Sequence, residues 1–156
     1  MDHVSKAVRS KIMASVRSRG NKTTEVALGM LLWAAGLRGY RKHWPVYGRP
    51  DFAWPRLKVA VFVDGCFWHG CHCKYLPRSR VKFWREKTET NRRRDRRMSQ
   101  RLRRAGWNVI RVKECKVEQP WTVRRISAAV RGARDSAGRE APPAGQLLVR
   151  AAGAGF

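Results

Sequence analysis

The stretch that decides the fold runs from Val61 to Cys73 and reads VFVDGCFWHGCHC. Together with the residues from Lys58 onward, its apolar start is hydrophobic on both faces, which is typical of a strand buried in the middle of a sheet. A carboxylate, two histidines, three thiols and two aromatic rings then follow between Asp64 and Cys73. No ordinary surface loop needs that mixture, so the sequence predicts a functional site at the end of a central strand.

The flanking segments predict helices and further strands around this central strand. Residues 23–35 repeat apolar side chains at helical spacing and are followed by Gly36, as expected of a core helix. Residues 49–54 have the pattern of a short strand after a turn, and residues 107–112 are rich in β-branched and aromatic side chains. The predicted order is helix, strands, helix, strand, which is an α/β arrangement.

The second helix is predicted between Val81 and Ala105, in a strongly charged segment. Its less charged positions are spaced alternately by four and three residues, which places them on one helix face. These positions are Trp84, Thr88, Asn91, Asp95, Met98 and Leu102. Asp95 is therefore expected to point inward, unlike its charged neighbours.

The charge balance indicates a polyanionic partner. The chain has 35 Lys and Arg against 11 Asp and Glu, a formal net charge of +24. A dense basic surface binds nucleic acid by releasing counterions from its phosphates, so nucleic acid is the leading partner and an acidic membrane surface the alternative. The longest apolar run, from Val26 to Leu37, is too short to span a bilayer, and the N-terminus lacks the apolar core of a secretory signal. We therefore expect a cytoplasmic protein that binds DNA and no membrane.

The length of the chain favours one domain with flanking segments. Residues 1–22, which include Met13, are basic and predict an arm that becomes ordered on DNA. Residues 23–119 are predicted to form the folded domain. Residues 120–156 are predicted to be a largely disordered tail, with one amphipathic turn around residues 123–130.

Two aspartates at the ends of predicted strands are candidates for a magnesium site. Asp51 begins one strand and Asp64 ends the next, and antiparallel neighbours bring such positions together. Two carboxylates can hold Mg²⁺, which polarises a phosphodiester while a neutral imidazole takes a proton from the attacking water. His69 is the candidate base. The alternative for both aspartates is a structural role in turns, after Pro50 and before Gly65.

Four cysteines are candidates for a second kind of metal site: Cys66, Cys71, Cys73 and Cys115. Four soft ligands suit a closed tetrahedral zinc site, although their spacing matches no common zinc finger. Disulfides are disfavoured in a chain that is expected to stay in the reducing cytosol. The alternative is a set of four separate buried thiols.

These motifs together resemble the signature of the very short patch repair (Vsr) endonucleases. The resemblance rests on Gly48-Arg49-Pro50-Asp51, Val61 to Cys71, Phe83-Trp84 and Asn91 to Arg97, and it covers the chain roughly from Ser5 to Cys115. That family belongs to the PD-(D/E)xK nuclease superfamily, so the resemblance implies a restriction-endonuclease-like core with a mixed central sheet flanked by helices. It also implies magnesium-dependent hydrolysis of DNA, with a nick 5′ to the T of a T:G mismatch.

The resemblance assigns roles to individual residues. The metal-binding aspartate of the family falls on Asp51, and the backbone carbonyl that completes the site falls on Val63. The family's histidine falls on His69, its second catalytic acid on Asp95 and an N-terminal acidic helper on Glu25. For Glu25 the alternative is a purely structural role, since the helix dipole favours acidic residues in the first turn.

The sequence departs from the family's pattern at two places. Some members have Thr-His where this chain has Val63-Asp64, so an imidazole expected there is absent, and Asp64 is predicted to strengthen the magnesium site instead. The resemblance implies a structural zinc site at the four cysteines. Some relatives have His at the position of Cys71, which makes His72 an alternative ligand.

Two aromatic residues are candidates for reading the DNA. Phe67 and Trp68 lie between a predicted zinc ligand and the predicted base, and their rigid rings would suit a wedge that enters a base step. Burial in the core is the alternative. Met13 in the basic arm is a further candidate for intercalation.

The leading hypothesis is a mismatch-directed nicking endonuclease that uses catalytic Mg²⁺ and structural Zn²⁺ and initiates very short patch repair. Its expected partner is double-stranded DNA with a T:G mismatch, with repair proteins as further partners, and it is expected to act as a monomer on the bacterial nucleoid. One alternative is a restriction-type endonuclease that needs no mismatch. Another is a non-catalytic zinc-stabilised DNA-binding module, which would leave the predicted catalytic residues unexplained.

Overall fold

The computed structural model describes residues 22–73 and 80–140, together with Ser5 and Val8. Most of the predicted basic arm, including Met13, and residues 141–156 lie outside this described part.

Four strands form one mixed sheet: β1 (Arg41–Lys42), β2 (Phe52–Trp54), β3 (Val59–Asp64) and β4 (Asn108–Lys113). They lie in the order β1-β2-β3-β4, with β1–β2 and β2–β3 antiparallel and β3–β4 parallel. The first four residues of β3 are all buried. They alternate between the two faces of the sheet, which confirms the prediction of a central strand.

Three helices cover the two faces of this sheet within the described residues: α1 (Ala27–Ala34), α2 (Val81–Arg104) and α3 (Pro120–Glu140). One face carries the larger core, in which Leu32 of α1 and Ile126 of α3 join Val59 and Val61 of β3. The other face carries a smaller core, in which Leu102 of α2 joins Ala60 and Phe62. The sheet is therefore the middle layer between α1 and α3 on one side and α2 on the other.

Both predicted helices are present, and the first begins later than predicted. Helix α1 follows a π-helical turn, Lys22–Val26, so it begins later than the predicted residue 23. Helix α2 matches the predicted span closely, and its buried residues Thr88, Asp95, Ser99 and Leu102 confirm that Asp95 points inward. None of the described helices is long and apolar enough to cross a lipid bilayer.

Helix α3 corrects the prediction for the C-terminal segment. A largely disordered tail was expected from Pro120, whereas residues 120–140 form a helix. The physical reason is that Thr122, Ile126 and Val130, spaced by four residues, are fully buried and pack that helix on the larger core. The segment is rich in Ala and Gly and has only a few large apolar side chains on one face, so the helix was not evident from its composition.

This packing predicts a measurable contribution of α3 to stability. Ile126→Ala is expected to lower the free energy of unfolding by about 2–5 kcal/mol, because a fully buried isoleucine is truncated in a packed core. Arg124→Ala, on the exposed side of the same helix, is the matched control and should change it by less than about 0.5 kcal/mol. Urea denaturation of the full chain measures both, and equal stability of the two variants would contradict the packing of α3.

Candidate active site

A cleft of about 660 Å³ opens at the C-terminal end of β3, where the sheet meets α2. Its walls include Asp51, Asp64, His69 and Asp95, four residues that the sequence predicted as catalytic. They come from the residue just before β2, the end of β3, the following loop and the middle of α2. The fold therefore brings residues from four separate segments into one cleft.

The position of Asp51 depends on the turn that precedes β2. Gly48 has φ +82°, and a Cβ at this position would overlap the sulfur of Met98 on α2, so only glycine lets the turn lie against that helix. The chain then enters β2, and the Oδ2 atom of Asp51 accepts a hydrogen bond of 2.6 Å from the backbone N–H of Val63. Asp51 is thereby held beside the end of β3, as the antiparallel pairing predicted.

Asp51 belongs to a cluster of three potential ligands with Glu25 and His43, which we call the Asp51 cluster. One ligand atom from each residue lies within 4.8 Å of the others. The Nε2 atom of His43 is 3.3 Å from Oε2 of Glu25. His43 has φ 50°, in the left-handed region that is costly for a residue with a side chain, and such strain is common at functional sites.

The charge balance of this cluster favours a bound cation. Burial raises the pKa of the Asp51 carboxyl from 3.8 to about 6, against the lowering effect of the hydrogen bond from Val63. The negative charge of Glu25 and, more weakly, that of Asp64 contribute to this raised pKa, whereas His43 lowers it. A carboxylate that is costly to ionise beside other carboxylates is stabilised by a hard divalent cation, which prefers oxygen ligands. The residues present therefore fit a magnesium site.

His69 lies at the centre of a second group, the His69 cluster, with Asp64 and Asp95. Its Nδ1 atom is 3.1 Å from Oδ2 of Asp95, and its Nε2 atom is 3.8 Å from Oδ1 of Asp64. The two side chains are close, although their geometry is not that of a hydrogen bond. A carboxylate beside one imidazole nitrogen orients the ring and favours the tautomer whose other nitrogen is free to accept a proton.

Arg111 on β4 holds the two carboxylates of the His69 cluster. Its Nε atom donates a hydrogen bond of 2.8 Å to Asp64 Oδ2, and its terminal nitrogen contacts Oδ1 of the same carboxylate. The same terminal nitrogen lies 3.2 Å from Oδ2 of Asp95. Asp64 therefore shares the cleft with Asp51 but pairs in a bidentate way with Arg111.

Helix α2 fastens the loop that carries His69. The side-chain amide of Asn91 donates to the carbonyl of Trp68 at 2.9 Å. The guanidinium of Arg92 donates to the carbonyls of His69 and Gly70, both at 2.9 Å. Three consecutive carbonyls of the loop are thus bound by one helix, which fixes the position of His69 relative to Asp95.

The four cysteines converge at the far end of this loop. Cys66, Cys71, Cys73 and Cys115 place their sulfur atoms within 4.8 Å of one another, and the sulfurs of Cys71 and Cys115 are 3.7 Å apart. A disulfide requires about 2.05 Å between sulfurs, whereas a tetrahedral site with metal–sulfur bonds of about 2.3 Å requires sulfurs about 3.8 Å apart. The geometry therefore fits a zinc ion and does not fit a disulfide.

Hydrogen bonds and ionisation support the same interpretation. The backbone N–H of Cys115 donates to the sulfur of Cys66 at 3.3 Å, and the backbone N–H of Cys66 donates to Glu114 at 2.9 Å. The hydrogen bond from the backbone of Cys73 lowers the pKa of the Cys71 thiol to about 7, whereas burial raises that of Cys66. A cation among the four sulfurs would stabilise their thiolate forms. His72 is exposed and is not part of the cluster.

The predicted wedge residues belong to an aromatic cluster beside the cleft. The ring centroid of Phe67 lies 5.1 Å from that of Trp68 and 5.1 Å from that of Trp84 on α2. Phe83 continues the cluster at 5.2 Å from Trp84 and is exposed. Phe67 and Trp68 are half-buried. They are therefore supported by packing while part of each ring remains accessible.

Two residues of the cleft were not predicted from the sequence: His43 and Arg111. In the antiparallel pairing of β1 with β2, Lys42 lies opposite Phe52, which brings His43 opposite Asp51. The position of His43 therefore follows only from this pairing. Arg111 is an internal residue of β4, and its position follows only from the parallel register Phe62↔Arg111. A charged residue inside an otherwise apolar strand was the one available signal for Arg111.

Carboxylates, histidines and a strongly basic chain are the combination expected of a nuclease that hydrolyses phosphodiester bonds. The comparisons with known proteins agree with this class. A family model described as DNA mismatch endonuclease Vsr matches residues 1–75. The chain is also 42% identical over 113 residues to the DNA mismatch endonuclease Vsr of Escherichia coli (strain K12), which covers 70% of this chain and 71% of the relative.

Two further relatives are type II nicking enzymes. V.NmeDIP of Neisseria meningitidis serogroup C is 41% identical over 114 residues, 71% of this chain and 76% of the relative. V.XorIIP of Xanthomonas oryzae pv. oryzae is 40% identical over 120 residues, 74% of this chain and 86% of the relative. The chain therefore belongs to the Vsr family of nicking endonucleases, whose substrate is DNA.

Proposed function

We propose that this chain nicks one strand of DNA 5′ to the T of a T:G mismatch by magnesium-dependent hydrolysis and thereby initiates very short patch repair. The observation that carries the proposal is the juxtaposition of the Asp51 and His69 clusters in one cleft. Relatives that are named as a mismatch endonuclease and as nicking enzymes support the choice of reaction. A restriction-endonuclease-like core is proposed with it, in line with the mixed sheet between helices.

The magnesium ion would be held by Asp51 with Glu25, and the family resemblance adds the backbone carbonyl of Val63. When bound, the ion supplies charge that stabilises the phosphate and the leaving oxygen. Asp64 stays a predicted ligand, although Arg111 already holds both of its oxygens. His43 contacts Glu25 and would orient its carboxylate.

His69 is the proposed general base. Asp95 lies beside Nδ1, so Nε2 is the nitrogen that would take a proton from the attacking water. Asp95 positions the ring and stabilises the imidazolium that forms. Arg49 and Arg94 on the walls of the cleft supply positive charge for the DNA backbone.

Phe67 and Trp68 are proposed to enter the duplex beside the mismatch, because a T:G wobble pair unstacks more readily than a matched pair. We expect Phe67→Ala/Trp68→Ala to reduce the affinity ratio of mismatched to matched DNA more than it reduces affinity for matched DNA. Trp121→Ala removes an exposed tryptophan on α3 and is the control. Competition binding at fixed salt measures the ratio, and an unchanged ratio in a folded double variant would place mismatch reading elsewhere.

The thiol cluster is proposed to hold one structural zinc ion per chain. We expect this zinc to remain at EDTA concentrations that stop nicking, because a closed thiolate site exchanges its metal more slowly than an open magnesium site. Cys71→Ser should lower the zinc content, whereas His72→Ala, at the exposed neighbouring residue, should leave it at one per chain. Metal analysis of the purified chain decides, and a zinc-free native protein would refute the site.

The proposed reaction is tested with labelled duplexes that differ only in one T:G pair. Nicking of the mismatched strand in magnesium, with little cleavage of the matched duplex and none in EDTA, is the expected result. Equal cleavage of both duplexes would favour the restriction-type alternative. Binding without cleavage under all metal conditions would favour the non-catalytic module.

A further inference from the structure

A second cleft, of about 560 Å³, extends from the turn between β2 and β3 to Trp44, which directly follows His43 of the catalytic cleft. The three residues of β2 separate this turn from Asp51 by about 10 Å. We call it the arginine pocket, because four arginines contribute to its wall. They are Arg38, Arg41, Arg56 and Arg134, and Trp44 and Trp54 also line it.

The arginines of this pocket form an uncompensated positive site. They come from three parts of the chain, since Arg38 and Arg41 lie three residues apart, and no Asp or Glu lines the pocket. All four are exposed, and none forms an ion pair with an acidic residue in the part of the chain that the structure describes. Converging like charges repel each other, so an anion that contacts several of them would bind favourably.

The backbone around the pocket is held in place without using most of these charges. The indole N–H of Trp54 donates to the carbonyl of Arg38 at 3.0 Å, and Arg134 reaches the same carbonyl at 3.4 Å. The guanidinium of Arg38 lies over the ring of Trp33 at 3.4 Å. Arg41 and Arg56 have no such contact among the described residues, so their guanidinium groups are available to a ligand.

The composition of the wall indicates which anion would fit. All four cationic groups are guanidinium groups, which bind phosphate oxygens in a bidentate way and stack on planar groups. Trp44 is half-buried, so part of its ring is accessible beside them. Bases of single-stranded nucleic acid stack on such rings, whereas the bases of a duplex are already stacked and paired. An acidic peptide would use the charges but has no need of the indole ring.

We propose that the arginine pocket binds a nucleotide unit of single-stranded nucleic acid, with its phosphate on Arg41 and Arg56 and its base against Trp44. This site goes beyond the proposed nicking reaction and does not depend on it. The unit could come from a strand that separates from a nicked duplex or from a free nucleotide, which share the same chemistry.

The test measures the affinity of the full chain for a fluorescent five-nucleotide oligothymidylate by anisotropy, in EDTA and at fixed salt. Arg41→Gln/Arg56→Gln should weaken binding by about tenfold or more. Arg124→Gln/Arg125→Gln removes the same charge from exposed positions on α3, about 14 Å along the helix from Arg134, and should weaken it by less than about threefold. Trp44→Leu should cost about five- to a hundredfold, with partial recovery in Trp44→Phe.

Competitors then identify the ligand. If the natural ligand is a strand, unlabelled oligothymidylate should displace the probe better than thymidine monophosphate does. If a free nucleotide suffices, the two should displace it equally well. Either result supports the site. Equal losses in the two double-arginine variants would overturn it, because binding would then reflect general charge. Competition by polyglutamate as strong as that by oligothymidylate, or unchanged binding of a folded Trp44→Leu chain, would overturn the nucleic-acid assignment.

Discussion

Asp51→Ala is expected to abolish strand nicking while leaving the affinity for DNA within about tenfold of the native value, because a magnesium ligand is lost and the many phosphate contacts are kept. Asp51→Asn should behave in the same way with less change in shape. Asp135→Ala, which removes an exposed carboxylate from α3, is the charge-matched control and should remain active. Single-turnover nicking and a binding titration measure the two effects. Retained nicking by either Asp51 variant would reject the assignment.

The raised pKa of Asp51 gives this experiment an independent readout. Because its pKa is about 6 in the folded chain against 3.8 for the ordinary group, its contribution to stability is fully present below pH 3.8 and is lost as the pH rises through 6. Above that pH the ionised carboxylate destabilises the metal-free chain, so Asp51→Asn should not lower the melting temperature at pH 8. Magnesium should raise the melting temperature of the native chain and leave that of the variant unchanged. A magnesium-stabilised Asp51→Asn chain would place the ion elsewhere.

His69→Ala is expected to lower the single-turnover nicking rate by roughly 10²-fold or more, because the proposed proton acceptor is removed. Asp95→Asn should lose activity without unfolding, since it removes the charge beside Nδ1 while preserving the shape of the side chain. The control is His72→Ala, three residues away and exposed.

If the two residues act as one unit, the double variant should be little slower than His69→Ala alone. Multiplied losses in the double variant would mean that Asp95 acts separately from His69. A fully active His69→Ala chain would move the general base to another group.

The sequence predicted those parts of the fold that have a strong local pattern. β3 is a continuous apolar run, and α2 has a regular inward face, so both were located closely, and the inward direction of Asp95 followed from spacing alone. β1 consists of two charged residues without periodicity, so this strand was not predicted. α3 buries only a narrow apolar stripe, so this helix was not predicted either.

The candidate site was predicted where residues carry distinctive chemistry. The convergence of the four cysteines could be proposed because thiols in this number suit one kind of ion, and the structure places them together. His43 and Arg111 depend on the registers of β1 with β2 and of β3 with β4, which no local pattern specifies. The roles of these residues in catalysis and in metal binding stay predictions.

The loop after β3 has a consequence for fidelity. Phe67, Trp68 and His69 are consecutive, and α2 binds the carbonyls of Trp68, His69 and Gly70, so the backbone that carries the rings is tied to the backbone that carries the imidazole. A duplex that resists insertion of the rings would therefore also hold the imidazole away from the phosphate. If the proposed mismatch-directed reaction is correct, this coupling would let the enzyme discriminate during hydrolysis as well as during binding, and matched DNA would then stay bound without being cleaved.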